Sequence, residues 1–444
     1  PPPPPPPPPA FFFPPAPSTP DPLWSRGLGD VYKRQIYGHE AFSSAAVGES
    51  GNTAIGQGAM KSVDEGTAGG DADFNVAIGF HALTGGDFAG NDRQLQGNIA
   101  IGAYALDATA ANAHTGTIAI GHQALTDLTS GAQNIAVGHV SATKLTTGTH
   151  NASFGPYTLA EHLTGIRNIA IGFSAMGTTQ AGGTQTTSAD SDDNVFVGYG
   201  AGGGNWANAK SEFNVGIGNY VMDAAMNGAL NNTGVGHLSL SALTTGDANT
   251  GIGRSALLGV NTGGSNTALG ASAGYAITDG HDNVFIGDTA GGASTSVGYA
   301  VAVGKQAGGG TMTAAADGSV AVGYQALTAL TSGADNIAIG YQAMDALTTG
   351  EKNIAIGRNA IGNGSNAGVD YNIAIGMGAG ASFGDNAVAN TILIGYDAGG
   401  QINNSGGSAT VAIGRSALSA LTSGAGNVSI GYQAAQGITT GSTN

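Results

Sequence analysis

The chain of 444 residues contains no cysteine. That excludes disulfide frameworks, thiolate metal sites and thiol nucleophiles together. It is poor in charge, with 13 Lys and Arg against 29 Asp and Glu, a formal net charge of −16. Phosphate backbones and anionic membrane surfaces would be repelled, so neither nucleic acid nor a lipid face is an expected partner. No run of 18 apolar residues occurs, and no membrane-spanning helix is expected. Aromatic residues make up 6%. What is abundant is glycine, 78 residues. Gly and Pro together reach about a fifth of the chain, below the share that marks aperiodic low-complexity sequence, so an ordered fold is compatible with this composition.

The proline is confined to one end. Fourteen of the fifteen lie between Pro1 and Pro22, and only Pro156 follows. Residues 1–35 read as a stiff polyproline II spacer or disordered linker, and the stretch from Trp24 to Gln35 also resembles a translated sequencing linker. On either reading they stand outside the fold, and residues 36–51 form a lead-in. From Asn52 to the last residue, 444, a pentapeptide recurs, N-[I/V/T]-A-[I/V]-G, as in Asn336-Ile337-Ala338-Ile339-Gly340. Twenty-one copies run from Gly56 to Gly431; ten of the twenty spacings are 17 residues and none is shorter. A unit this short cannot enclose a core alone, so each copy reads as one coil of a stack. The expected fold is all-β: a parallel β-roll or β-solenoid of about 21 coils with a 17-residue minimum repeat, a rod roughly 96 Å long at about 4.8 Å per coil.

Within each copy the residue before the Gly and the residue two earlier are almost always β-branched or apolar, and they share one face of a strand. Hydrophobicity assigns that row to the coil interior and sends the intervening Ala outward. Phe196, Phe285 and Leu393, which occupy the Ala position, break the outward pattern. The Gly ends the strand where a turn needs positive φ or close backbone approach. Three residues later stands a second small residue, usually Ala, whose surroundings, interior or neighbouring chain, the sequence leaves open. Asn opens sixteen copies, and stacking would place these side chains in a hydrogen-bonded ladder.

Chemistry is sparse. His122 and His139 occupy equivalent slots just after the repeat Gly, shared with Phe80, Arg254, Tyr324 and Tyr341, and read as a solvated column. The Asp190, Asp192, Asp193, Asn194 cluster lacks the Gly and Glu of a calcium loop, since Val195 and Ala201 stand there. Gly202-Gly203-Gly204 has no phosphate-loop context. No catalytic residue, metal ligand or cofactor site is expected, and the chain does not read as an enzyme. Insertions fall between the Ala-containing turn and the next pentapeptide, so they decorate one edge of the rod. Their aromatics, Phe88, Trp206, Phe213, Tyr371 and Phe383, are the candidate receptor-binding residues, with capping of widened coils as the alternative.

Strings such as Asn168-Ile169-Ala170-Ile171-Gly172 and Ser319-Val320-Ala321-Val322-Gly323 resemble the head repeats of YadA-like trimeric autotransporter adhesins. The resemblance spans about residues 52–444, is specific in the pentapeptide and loose elsewhere, because the family unit is near fourteen residues. It implies a left-handed parallel β-roll, three identical chains side by side, an extracellular place on a bacterial surface, and attachment to an unknown surface ligand, glycan or protein. Tyr324-Gln325-Ala326-Leu327 is similar to repeats of phage tail fibres, which implies the alternative of a virion receptor-binding fibre. An ice-binding solenoid is a third reading, which the turn-clustered threonines such as Thr146-Thr147-Gly148 disfavour.

Overall fold

The computed structural model describes residues 34–44, 49–63, 72–85, 94–109, 114–179, 190–364, 368–384 and 387–442. Among them are twenty-four short strands, numbered in chain order from β1 (Gln35–Tyr37) to β24 (Val428–Ile430), and no α-helix. Twenty-two strands form one parallel sheet. Successive coils pair in strict register: β19 (Ile337–Ile339) lies against β20 (Ile354–Ile356) with Ile337 opposite Ile354, Ala338 opposite Ala355 and Ile339 opposite Ile356. This is the parallel solenoid that the repeat predicts. It begins earlier than Asn52, because β1 pairs with β2 (Thr53–Ile55) and Gly38 takes the same turn conformation as the repeat glycines. Gln35, assigned by sequence to the excluded segment, is therefore the first strand residue; Gln35-Ile36-Tyr37-Gly38 departs too far from the consensus to be recognised.

The facing of the strands is opposite to the sequence expectation. Ala338 is fully buried, whereas Ile339 is 38% exposed. The same pattern, centre in and flanks out, recurs from strand to strand. Period-two alternation puts the two rows on opposite sides but is silent about which side is inside. Here the interior is filled from the opposite wall: Met344 and Leu347, four and seven residues after Gly340, are fully buried with Ala343. Two long side chains from the turn side leave room only for a methyl group on the strand side. The second Ala column thus lies inside the coil and not against a neighbouring chain.

The three exceptions follow from this. Phe196, Phe285 and Leu393 point inward and are fully buried. Each coil compensates by placing Gly where others have Leu or Met. A Cβ on Gly291 would lie 2.5 Å from the Phe285 ring, one on Gly202 2.9 Å from Phe196, and one on Gly399 2.8 Å from Leu393.

Two further columns lock the stack. The repeat Gly has φ near +135°, as at Gly340 (+139°), and a Cβ there would lie 2.6 Å from the carbonyl oxygen of Gly357 in the next coil. Both reasons given by sequence, positive φ and close approach, hold at this position. The Asn ladder is present as expected. Asn353 Nδ2 donates to Asn336 Oδ1 at 3.1 Å and to the Val369 carbonyl at 2.6 Å, while Asn353 Oδ1 accepts from Asn372 N (3.1 Å) and Nδ2 (3.0 Å). Each amide is buried and holds two coils and the far wall together, which makes burial of a polar side chain favourable in a thin core.

Candidate interaction surfaces

The five candidate loop aromatics do not form a site. Phe88 lies outside the described residues. Trp206 is fully buried: its indole Nε1 donates to the Gly202 carbonyl at 3.0 Å, and its ring meets Phe196 edge-on at 6.0 Å. Phe383 is also fully buried, in the column that Leu347 occupies in its own coil. Both fill space in coils widened by Phe196 and Leu393, so neither can reach a receptor. Phe213 and Tyr371 are exposed, 52% each. They are regular rather than inserted, holding the position before the ladder Asn, where the backbone is left-handed (φ +58° and +59°). Their coils, those of β12 (Val215–Ile217) and β21 (Ile373–Ile375), are nine steps or about 43 Å apart, so they do not converge on one ligand. Tyr371 is engaged locally, with Lys352 Nζ 5.2 Å over its ring and 3.3 Å from its hydroxyl.

A larger aromatic feature runs along the corner just after the turn Gly. From Phe80 to His237 every coil contributes a ring at the first or second residue past the Gly, and successive rings are in contact. Phe80 meets Tyr104 at 5.3 Å, His122 meets His139 at 5.3 Å with planes 12° apart, Phe173 meets Tyr199 at 5.3 Å, and Tyr220 meets His237 at 6.3 Å. His122 and His139 are exposed, as the solvated-column reading expects, and the column is in addition one of rings in mutual contact, face-to-face or edge-on. It resumes at Tyr324, stacked on Tyr341 at 5.2 Å, and continues through Arg358 over Tyr341 (5.2 Å) to Arg415 over Tyr396 (5.4 Å). Between the two runs the slot holds Arg254, Ala271, Asp288 and Lys305, and the ridge is interrupted. Aligning the repeats on their glycines would have exposed this ridge.

The third surface is the outer face of the sheet. Its two apolar columns include Ile171, Ile217, Ile252, Leu269 and Ile339, each between 38% and 47% exposed. Neighbours in a column stand in register along the stack, as Ile339 does opposite Ile356, and both stay on the outer face.

The acidic cluster is committed to protein contacts. Asp193 pairs with Arg167 through two bonds of 2.6 and 2.7 Å, which hold its carboxyl below the usual range, and Asp192 Oδ1 accepts from Ile166 N at 2.7 Å. Among the described residues no group of three or more His, Asp or Glu could hold a metal ion. Threonines in the turns donate to the next coil, as Thr331 does to the Thr348 carbonyl at 2.9 Å. Among the buried titratable groups, Glu49, His114 and His162, the last takes the core position of Leu145 and lies between Asn168 Nδ2 (3.1 Å) and Thr179 Oγ1 (3.2 Å). Burial lowers its pKa to about 4, against the opposing pull of Asp192 and Asp190.

No protein-family model matches the chain. No curated protein matches it either.

Proposed function

We propose that this rod is the fibrous head of an extracellular adhesin that attaches to cells or surfaces as a side-by-side homotrimer, with a role in binding rather than catalysis. The observation that carries this reading is the outward facing of the Ile and Val columns. An apolar strip about 10 Å wide and 100 Å long offers on the order of 1,000 Å² per chain, above the roughly 800 Å² per partner of a stable interface. Contiguous apolar patches of this size on soluble proteins mark interaction sites. A second copy is the occupant whose period matches the strip coil for coil, and three copies are what the resemblance to YadA-like heads implies. The bacterial surface location rests on the same resemblance.

Sedimentation equilibrium of the purified rod at micromolar concentration should return three times the chain mass. A folded monomer would refute the trimer. Beads coated with the rod should be retained on cell or matrix surfaces above an albumin control, and equal retention would refute the adhesive role. The alternative of a phage receptor-binding fibre draws on Tyr324-Gln325-Ala326-Leu327. Sequencing beyond Asn444 separates the two: a membrane-anchor barrel supports the adhesin and a self-cleaving chaperone domain the fibre.

A further inference from the structure

Where the ring ridge is interrupted the surface is concave. A groove of about 370 Å³ crosses four coils there, with Tyr275 at one end and Thr328 at the other. It exists because Gly292, Ala293 and Gly309 carry almost no side chain between those two walls. Three coil steps, about 14 Å, separate the ends. No strand residue lines it, so the groove stays open if the sheet faces pack together.

The lining is uncharged. Ser272, Thr289, Gln306 and Thr328 supply its polar groups, and Tyr275, 44% exposed, supplies a ring. The charged residues that precede the lining in sequence, Asp288 and Lys305, have opposite signs. Gln306 ends a glutamine ladder with a fixed polarity: Gln342 Nε2 donates to Gln325 Oε1 at 3.0 Å, and Gln325 Nε2 donates to Gln306 Oε1 at 3.0 Å. The ladder anchors the Gln306 amide through its oxygen and leaves its NH₂ as a donor with no partner among the described residues. Ser272 is held through its backbone, whose N–H donates to the Arg254 carbonyl at 2.8 Å, and its hydroxyl has no partner among the described residues. An aromatic wall, an oriented amide donor, hydroxyls and no charge suit a ligand with one apolar face and many neutral hydroxyls.

We propose that this groove binds a neutral saccharide of one or two rings, one sugar face on Tyr275 and its hydroxyls on Gln306 and Ser272. The volume lies within the range of small-ligand sites. The assignment deepens the adhesive reading and rests on it, since it names the chemistry of a surface the rod would recognise.

The test uses the full chain and four neutral disaccharides: maltose, lactose, cellobiose and chitobiose in its N-acetylated form. Calorimetric titration and saturation-transfer NMR should detect at least one of them with millimolar affinity. Tyr275→Ala and Gln306→Ala should each weaken binding tenfold or more, while Tyr371→Ala, an exposed ring outside the groove and its glutamine ladder, should leave it unchanged. Because the first two side chains are at the surface, the variants should keep the wild-type circular dichroism. Failure of all four sugars to bind the folded rod, or binding that survives both groove substitutions, overturns the assignment. Bead retention is scored separately: a rod that adheres but binds none of the sugars refutes the groove alone, and one that binds sugar through the groove without adhering refutes the adhesive role alone.

Discussion

The two sides of the same three-residue strand obey different rules. On the inner side the residue opposite Met344 and Leu347 is Ala338, and each large residue in that column is matched by a deletion across the coil, Phe196 by Gly202, Phe285 by Gly291 and Leu393 by Gly399. On the outer side Ile, Val, Leu, Thr and Phe154 interchange without any compensating change, as a surface permits. The inner column is limited by volume, the outer one by strand preference and by whatever covers it. Greater hydrophobicity on one row is therefore no guide to facing in a coil this thin.

Substitutions on the two sides should separate these rules, and the largest effect belongs to the inner ladder. Asn353→Ala removes the side chain that serves Asn336, Asn372 and the Val369 carbonyl, and leaves several buried polar groups unpaired. The expected loss is about 4 kcal/mol, at about 1–3 kcal/mol for each unsatisfied group, read from chemical denaturation. His162 tests the inner side by pH. Its proton is bound near pH 6.5 when the chain is unfolded and at about 4 when folded. The unfolded state holds more protons between those values, so stability present above pH 6.5 is lost as pH falls towards 4 and changes little below. The His162 contribution to the loss amounts to about 3 kcal/mol, and His162→Leu should remove it, leaving a dependence of the same sign from His114, whose pKa burial also lowers. Denaturation midpoints at pH 7 and pH 4 provide the measurement.

Ala338→Leu adds volume where the coil has none and should cost about 2 kcal/mol, whereas the wild-type Leu393 shows that the same change is harmless when Gly stands four residues after the repeat glycine. Pairing Ala338→Leu with Met344→Gly should recover part of the loss. The smallest effect on folding is expected outside. Ile339→Asp should change the stability of the isolated chain by less than about 1 kcal/mol, because the carboxylate remains in water. The same substitution should weaken association in sedimentation experiments if the sheet faces pack together.

The regular part of the fold was legible in sequence because each coil repeats one constraint: the glycine spacing located the strands, and the Asn and Gly columns anticipated the ladder and the turn. Facing was not, because alternation is symmetric and the interior volume depends on Met344 and Leu347, residues remote from the pentapeptide. The signal was present in Phe196, Phe285 and Leu393, which look like misplaced outward residues until Gly202, Gly291 and Gly399 are aligned with them. The candidate loop residues failed for a related reason. Trp206 and Phe383 are large because their coils have space to fill, and aromatic character alone does not distinguish filling from exposure. The ring ridge and the groove depend on which residues stack across coils 17 or more positions apart, and only alignment on the repeat brings those residues together.

Since the chain has no cysteine, single thiols report the facing directly. Ala338→Cys and Ile339→Cys, each labelled with a maleimide across a dilution series, measure how accessible each side is in the folded rod. The account predicts that the thiol at 339 reaches the labelling rate of the unfolded chain once dilution has separated any assembly, and that the thiol at 338 stays protected until the rod unfolds. Faster labelling at 338 than at 339 in the folded chain would contradict it.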